Sequence, residues 1–427
     1  MALTGSPTFS NKEILTYQKL NNWSDALSTK FSGNVVSADI SWPLVAQGNL
    51  DMNGNSIVGV SSLFSIYIVT TSFTFTQAVS AINTAGGGII YIPTGTTITI
   101  ADHDFTTGNV MIYGGGPDSV LQVSSATDYG ISFASSSDNI MIADLTLDVD
   151  SETAHGIQFA PSDNIIIRNI TAKGAGASHA ALYFNGSGDS TCTNVKVIGC
   201  EFPAGAKAIL LDGIQYLQII GCNFDTHTES TIYYSDATAA RPFADATISH
   251  CTFLNNASNA IYLSNGAASG ATRTNITIMG NTVRSDSDSG DALYFDSFQN
   301  IKLIGNSVYL PGGYGITVLD CDYFAVVGNT VEGPCAGNNG GIFVGTNCNY
   351  GTVSGNTVAN VTNASSIGMT VWGNDIAVTG NTVYGGVTGY SINQTRGCLV
   401  GNVGYNNSSS NYTISNVGER GHNMGDT

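Results

Sequence analysis

The chain has 427 residues, only 10% of them charged, and 31 acidic against 13 basic side chains leave a formal charge of −18. So few, scattered Lys and Arg exclude nucleic acid as a partner, because phosphates are held by clustered cations. No apolar run reaches the ~18 residues that would span a bilayer, so membrane insertion is excluded too. The 51 glycines, with abundant Asn, Ser and Thr, suit strands joined by tight turns that need positive φ.

The opening stretch MALTGSPTFSNKEI has no basic segment followed by an apolar one, so no secretory signal is read and synthesis in a cytosol is expected. The eight cysteines form no C-x-x-C pair and have no His at zinc spacing, which predicts reduced thiols, no metal and no cofactor. Ile14, Leu15, Leu20, Trp23, Leu27 and Phe31 make an imperfect helical stripe. The segment GNLDMNGNSIVGV follows from Gly48. Residues 73–85 then predict a short amphipathic helix, and GGGIIYIPTGTTITI from Gly86 leads into a first strand. A phosphate-binding glycine loop needs a strand before and a helix after. Here that order is reversed, so the helix is expected to plug the open end of a repeat array.

Beyond it one phrase recurs: NIMIADLTL from Asn139, NIIIRNITA from Asn164, NVKVIGCEF from Asn194, YLQIIGCNF from Tyr216, NITIMGNTV from Asn275, NIKLIGNSV from Asn300, YFAVVGNTV from Tyr323 and DIAVTGNTV from Asp375. Its Gly-equivalent positions run Asp144, Asn169, Gly199, Gly221, His250, Gly280, Gly305, Gly328, Gly355, Gly380 and Gly401, spaced 21 to 30 residues apart. That period is one coil of a β-solenoid. A second phrase, Ala or Gly followed by apolar-x-apolar, falls between copies, as in GIQF from Gly156, ALYF from Ala181, AILL from Ala208 and GITV from Gly315. Each coil therefore predicts at least two short alternating strands. The fold class predicted is all-β, a right-handed single-stranded parallel β-helix with a helical N-terminal connector and a capping helix.

After the Gly position stand Cys200, Cys222 and Cys251, then Asn281, Asn306, Asn329, Asn356, Asn381 and Asn402. Stacked about 4.8 Å apart, these asparagines predict an amide ladder. The three cysteines predict buried core thiols.

The residue between the apolar pair of the second phrase points outward. Coil by coil it is Ser132, Gln158, Tyr183, Leu210, Tyr233, Tyr262, Tyr294, Thr317, Phe343, Thr370 and Ser391. The same slot of the first phrase carries no aromatic from Met141 to Ala377. Tyr183, Tyr233, Tyr262, Tyr294 and Phe343 are the candidate substrate-binding residues, since aromatic faces stack on sugar rings and the phenol adds a hydrogen bond. A subunit interface, or simple strand propensity, would account for the same stripe.

Carboxylates border it. Asp212, Asp236, Asp296 and Asp320 follow their strands, while Glu229 and Asp291 precede theirs. Asp212 with Asp236, and Asp296 with Asp320, are read as neighbours on adjacent coils, at a separation suited to the acid and base of glycoside hydrolysis. Asp212, Asp236, Asp296 and Glu229 are the candidate catalytic residues; capping of turns is the structural alternative. A lyase would need cations for a uronate carboxylate, with Lys207, Arg241, Arg273 and Arg284 nearest. The run Asp286-Ser-Asp288-Ser-Gly290-Asp291 lacks the spacing of a calcium loop.

The helix, GGGIIYIPTGTTITI and the later coils together resemble the pectin-lyase-like superfamily over roughly residues 70–415. The segment from Gly48 resembles one common near the start of phage tail fibres and tailspikes. The resemblance implies a virion-proximal connector at 1–65, a glycan-binding β-helix at 66–416 and a short tail at 417–427. It also implies a homotrimer attached to the phage tail through the N-terminal region, with bacterial surface polysaccharide as partner and the virion as location. Hydrolysis of that polysaccharide, adhesion without cleavage and lyase chemistry all remain open to this superfamily.

Overall fold

The computed structural model describes residues 65–420, apart from 125, 150–152, 187–189, 236–240, 266–272, 286–289, 334, 336–338, 364 and 416–418. The helical stripe of the connector and candidate Asp236 lie outside the described residues. The chain divides at Phe64/Ser65, and the second unit, Ser65–Thr427, holds every described residue.

The described residues of that unit form a solenoid of three parallel sheets with 15, 13 and 13 strands. A representative coil runs Cys192–Ile198 in the first sheet, Glu201–Phe202 in the second and Lys207–Asp212 in the third, before Ile214–Ile220 re-enters the first. The phrase ending GNTV thus holds two strands rather than one. Its Gly-Asn pair makes a bend, and the Thr-Val after it forms a short second-sheet strand such as Thr330–Glu332. Strands of two or three residues bury one side chain each, too few to register as alternation. The last first-sheet strand, Glu419–Arg420, pairs beside Cys398–Leu399, inside the segment expected as a tail.

Helix α1 (Phe75–Ala85) starts at a capping box between Thr74 and Gln77 and stops at Gly86, whose φ is 78°. Phe75, Ala78, Val79 and Ile82 are buried at the end of the solenoid. Asn83 bonds the backbone of Asp104 and Thr106, which ties the helix to the first coil. No helix among the described residues is long and apolar enough to cross a membrane.

Stacking turns each inward position into a column. Phe105, Phe133, Phe159 and Phe184 stack at 4.8, 5.3 and 5.0 Å, and Phe202, Phe224 and Phe253 at 4.9 and 4.7 Å. Each such burial contributes about 2–3 kcal/mol. The small residue opening the second phrase has a steric cause: a Cβ at Gly315 would run into Val331 Cγ1 and lie 2.8 Å from Gly341 O. The third sheet there turns in against the second-sheet valines.

Every residue in the Gly-equivalent column has positive φ, from 50° at Asn169 to 68° at Gly401. Behind it the asparagine ladder forms as expected. Asn306 accepts at Oδ1 from the backbone N–H and Nδ2 of Asn281, both at 3.0 Å, and its own Nδ2 donates to Ile278 O and Asn329 Oδ1, both at 2.9 Å. The pattern repeats to Asn402. Cys200, Cys222 and Cys251 continue the column as buried free thiols.

Candidate functional site

The outer face of the third sheet carries the candidate residues. Its register aligns Ser132, Gln158, Tyr183, Leu210, Tyr233, Tyr262, Tyr294, Thr317, Phe343, Thr370 and Ser391 in one column. The column is built in three parts. At its centre Tyr233, Tyr262 and Tyr294 stack with centroids 5.2 and 4.7 Å apart and planes 8° and 6° from parallel. Leu210 separates Tyr183 from them, and the Tyr183 ring faces His155 at 4.5 Å. On the other side Thr317, only 2% exposed, breaks the aromatic run. Phe343 joins a separate group, 5.1 Å from Tyr314 and edge-on to Trp372 at 5.6 Å. Tyr314 and Trp372 stand outside the column slot, so the alternation could not point to them.

Polar groups flank both ends of the tyrosine stack. At one end Ala208 and Ile209 both donate to the Thr231 carbonyl, which kinks the strand where Lys207 enters it. The Lys207 ammonium pairs with Glu229 and lies 5.4 Å from the Tyr233 ring centre. Glu229 also accepts the Ser178 N–H at 2.7 Å. Burial opposes its ionisation, yet Lys207 and Ser178 hold its carboxyl below the usual range. Asp212 accepts from the Tyr183 hydroxyl at 2.7 Å and pairs with Arg241 at 2.8 Å. Burial and the Asp212 carboxylate together push the Tyr183 phenol up. His155 is driven down to about 4 by burial and by neighbouring His179, and its Nδ1 accepts the Ala180 N–H at 3.2 Å. It is a neutral imidazole with its proton on Nε2.

At the other end Asp296 accepts from the hydroxyls of Ser264 at 3.1 Å and Ser297 at 2.9 Å. Burial, then the charge of Asp296 and the weaker effects of Tyr262, Asp291 and Asp320, raise the Tyr294 phenol. Asp291 accepts the Tyr314 N–H and the Thr317 hydroxyl, each at 2.7 Å. Burial outweighs those two bonds and raises its carboxyl. Among the acidic residues of this face Asp291 is the one whose surroundings favour retention of a proton, and its spacing in the sequence did not distinguish it.

One expected carboxylate pair is corrected by the register. Asp296 lies beside Leu319, and Asp320, one residue further on, has φ 48° and has left the strand. The strand ends where the residue after it turns left-handed, and one position of offset sends the side chain in a different direction. Asp236, the expected partner of Asp212, lies outside the described residues.

The right-handed β-helix that these three sheets form has counterparts of known kind. Residues 129–308 match the family model described as a right handed beta helix region. The class of protein is thus a right-handed parallel β-helix. Among solved structures, tailspike protein 3 of bacteriophage CBA120 is similar over 82% of this chain and 59% of that one, with 12% identity and a TM-score of 0.52. A tailspike of E. coli bacteriophage HK620 in complex with a pentasaccharide covers 82% and 74%, with 13% identity and a TM-score of 0.48. The A-module of the Azotobacter vinelandii mannuronan C-5 epimerase AlgE4 covers 82% and 91%, with 13% identity and a TM-score of 0.46. At such identity the first of these shows a shared fold. No curated protein sequence matches this chain.

Proposed function

We propose that this chain is the receptor-binding β-helix of a phage tailspike, and that the outer face of its third sheet holds a bacterial surface polysaccharide. The observation that carries the reading is the column of Tyr233, Tyr262 and Tyr294, stacked ring on ring and bordered at both ends by charged side chains. Each ring sits about 4.8 Å from the next coil's, a spacing suited to successive sugars. The ring edges and hydroxyls along the stack supply a row of contacts, and the flanking groups supply hydrogen bonds. In this reading the N-terminal residues lead to the virion and three copies assemble. Light scattering that gave a monomer would count against that assembly.

Hydrolysis is assigned to the Tyr294 end, with Asp296 as base or nucleophile and Asp291, whose carboxyl burial raises, as the acid. Glu229 and Asp212 bind and orient the glycan, because each is already neutralised by a cation. The same pairing disfavours lyase chemistry, which needs Lys207 and Arg241 for a substrate carboxylate. It also favours a second reading, adhesion without cleavage.

The test is incubation with purified capsular and lipopolysaccharide glycans. New reducing ends support hydrolysis, and an ultraviolet-absorbing unsaturated product would replace it with a lyase. Binding without either product would leave the adhesive reading, while no binding across the panel would remove the proposal.

A further inference from the structure

A second ladder runs outside the solenoid, at a left-handed residue at or near the start of each first-sheet strand. Asn109, Asn139, Asn164, Asn194, Tyr216, Asp245, Asn275 and Asn300 occupy this position on successive coils, all with φ between 52° and 63°. Their side chains are joined coil to coil. Asn139 donates to Asn109 at 3.0 Å, Asn164 to Asn139 at 3.0 Å and Asn194 to Asn164 at 2.6 Å. Beyond a gap Asn275 donates to Asp245 at 2.8 Å and Asn300 to Asn275 at 2.5 Å. The gap is Tyr216. Having no amide, it leaves Asn194 Oδ1 without the donor that the next coil supplies elsewhere in the ladder. Asp245 keeps its second carboxylate oxygen on the opposite side of the ring.

The surface sinks at this break. A shallow open depression of about 350 Å³ is lined by Asn194, Tyr216 and Asp245 and, two residues along each strand, by Lys196, Gln218 and Thr247. The six form a grid of two columns about 6.6 Å apart and three coils about 4.8 Å apart. Tyr216 is 58% exposed at its centre. Among the described residues the Tyr216 hydroxyl, the Lys196 ammonium, the Gln218 carboxamide and the Thr247 hydroxyl carry no hydrogen bond or ion pair. The ladder is interrupted again at Tyr323 and Tyr350, but there the two rings stack on each other at 5.3 Å, beside the short side chains of Ala325 and Thr352. Only at Tyr216 does a lone ring stand among open donors and acceptors within this ladder.

From this geometry we propose a second saccharide site, on the first sheet and distinct from the tyrosine column, in which one sugar ring lies on Tyr216. Its hydroxyls bond Asn194 Oδ1, Gln218 and Lys196 on one side and Asp245 and Thr247 on the other. The volume lies at the lower end of the roughly 300–1,000 Å³ typical of small-molecule sites, which limits the occupant to one or two sugar units. The ring provides an apolar platform and the grid provides directional polar groups, the combination that sugar recognition needs.

The test uses the full chain and ligand-observed saturation-transfer NMR with methyl glucoside, methyl galactoside, methyl rhamnoside and N-acetylglucosamine as probes. At least one should give signal in wild type and also in Tyr262→Ala, in which the third-sheet column is impaired. Gln218→Ala should raise the dissociation constant at least about tenfold. Added to Tyr262→Ala, Tyr216→Asn should abolish the signal while leaving the melting temperature unchanged or higher than that of Tyr262→Ala, because Asn suits the left-handed backbone and restores the ladder. Signal that survives in the Tyr216→Asn, Tyr262→Ala double variant, or no signal from any probe in Tyr262→Ala, would overturn this site. The third-sheet reading fails on a different result: equal polysaccharide binding by wild type and Tyr262→Ala.

Discussion

The ring of Tyr262 lies flat against that of Tyr294 one coil on, with centroids 4.7 Å apart and planes 6° from parallel. Neither ring is fully buried, so the edge of the stack stays open to solvent. Its middle member, Tyr262, is held between two neighbours and has most to lose from truncation. Tyr262→Ala should weaken polysaccharide binding about five- to tenfold, the equivalent of about 1–1.5 kcal/mol for an aromatic contact. Titration calorimetry against the bound glycan checks it, with an unfolding midpoint within a few degrees of wild type.

Asp296→Asn keeps the hydroxyl contacts of Ser264 and Ser297 within reach but removes the charge beside Tyr294. Hydrolysis should fall at least about 100-fold with binding retained. Asp212→Asn should instead loosen Tyr183 and Arg241 and act mainly on affinity. If reducing-end release were unchanged in both variants, neither residue would belong to the catalytic machinery.

Asn329 is fully buried, and its side chain meets three neighbours at once. It accepts from the Asn306 backbone and carboxamide at 2.9 Å and donates to Leu303 O at 2.8 Å and Asn356 Oδ1 at 3.0 Å. Asn329→Ala strands these partners away from water, at a cost of about 3 kcal/mol or more. Urea unfolding should register a loss of that size. A loss below about 1 kcal/mol would mean that water enters the turn.

His227 is buried with its imidazole driven down to about 4 by desolvation, against an ordinary value of 6.5, and His155 is lowered to about 4 as well. Between those values the unfolded chain takes up protons that the folded chain refuses. Stability is therefore full above about pH 6.5 and falls as pH drops toward 4, by on the order of 3 kcal/mol from His227 alone. Melting temperatures at pH 7.5 and 4.5 should differ accordingly, and His227→Gln should flatten the dependence.

The solenoid was legible because each coil repeats the same backbone problem. A bend that needs positive φ recurs every 21 to 30 residues, from Asp144 to Gly401, and the amide behind it recurs with it. Apolar alternation in the first and third sheets and the tyrosine column of the third come from the same repetition. The second sheet did not show, because Thr330–Glu332 and its equivalents are too short to alternate. The outer ladder through Tyr216 was present as the first letter of each phrase, but its left-handed conformation leaves no mark when Asn, Asp and Tyr all occupy it.

By itself, then, the sequence determined the architecture of this protein: the period, the turn chemistry, the inward columns and the tyrosine column of the third sheet. Only the tertiary structure decided which side chains meet. Glu229 pairs with Lys207 and Asp212 with Arg241 across different coils, Asp296 lies beside Leu319 in place of Asp320, and Thr317 divides the aromatic stripe. Local pattern sets where the backbone bends. The unequal loops between bends set strand register and charge pairing, and those depend on contacts between residues more than 20 positions apart.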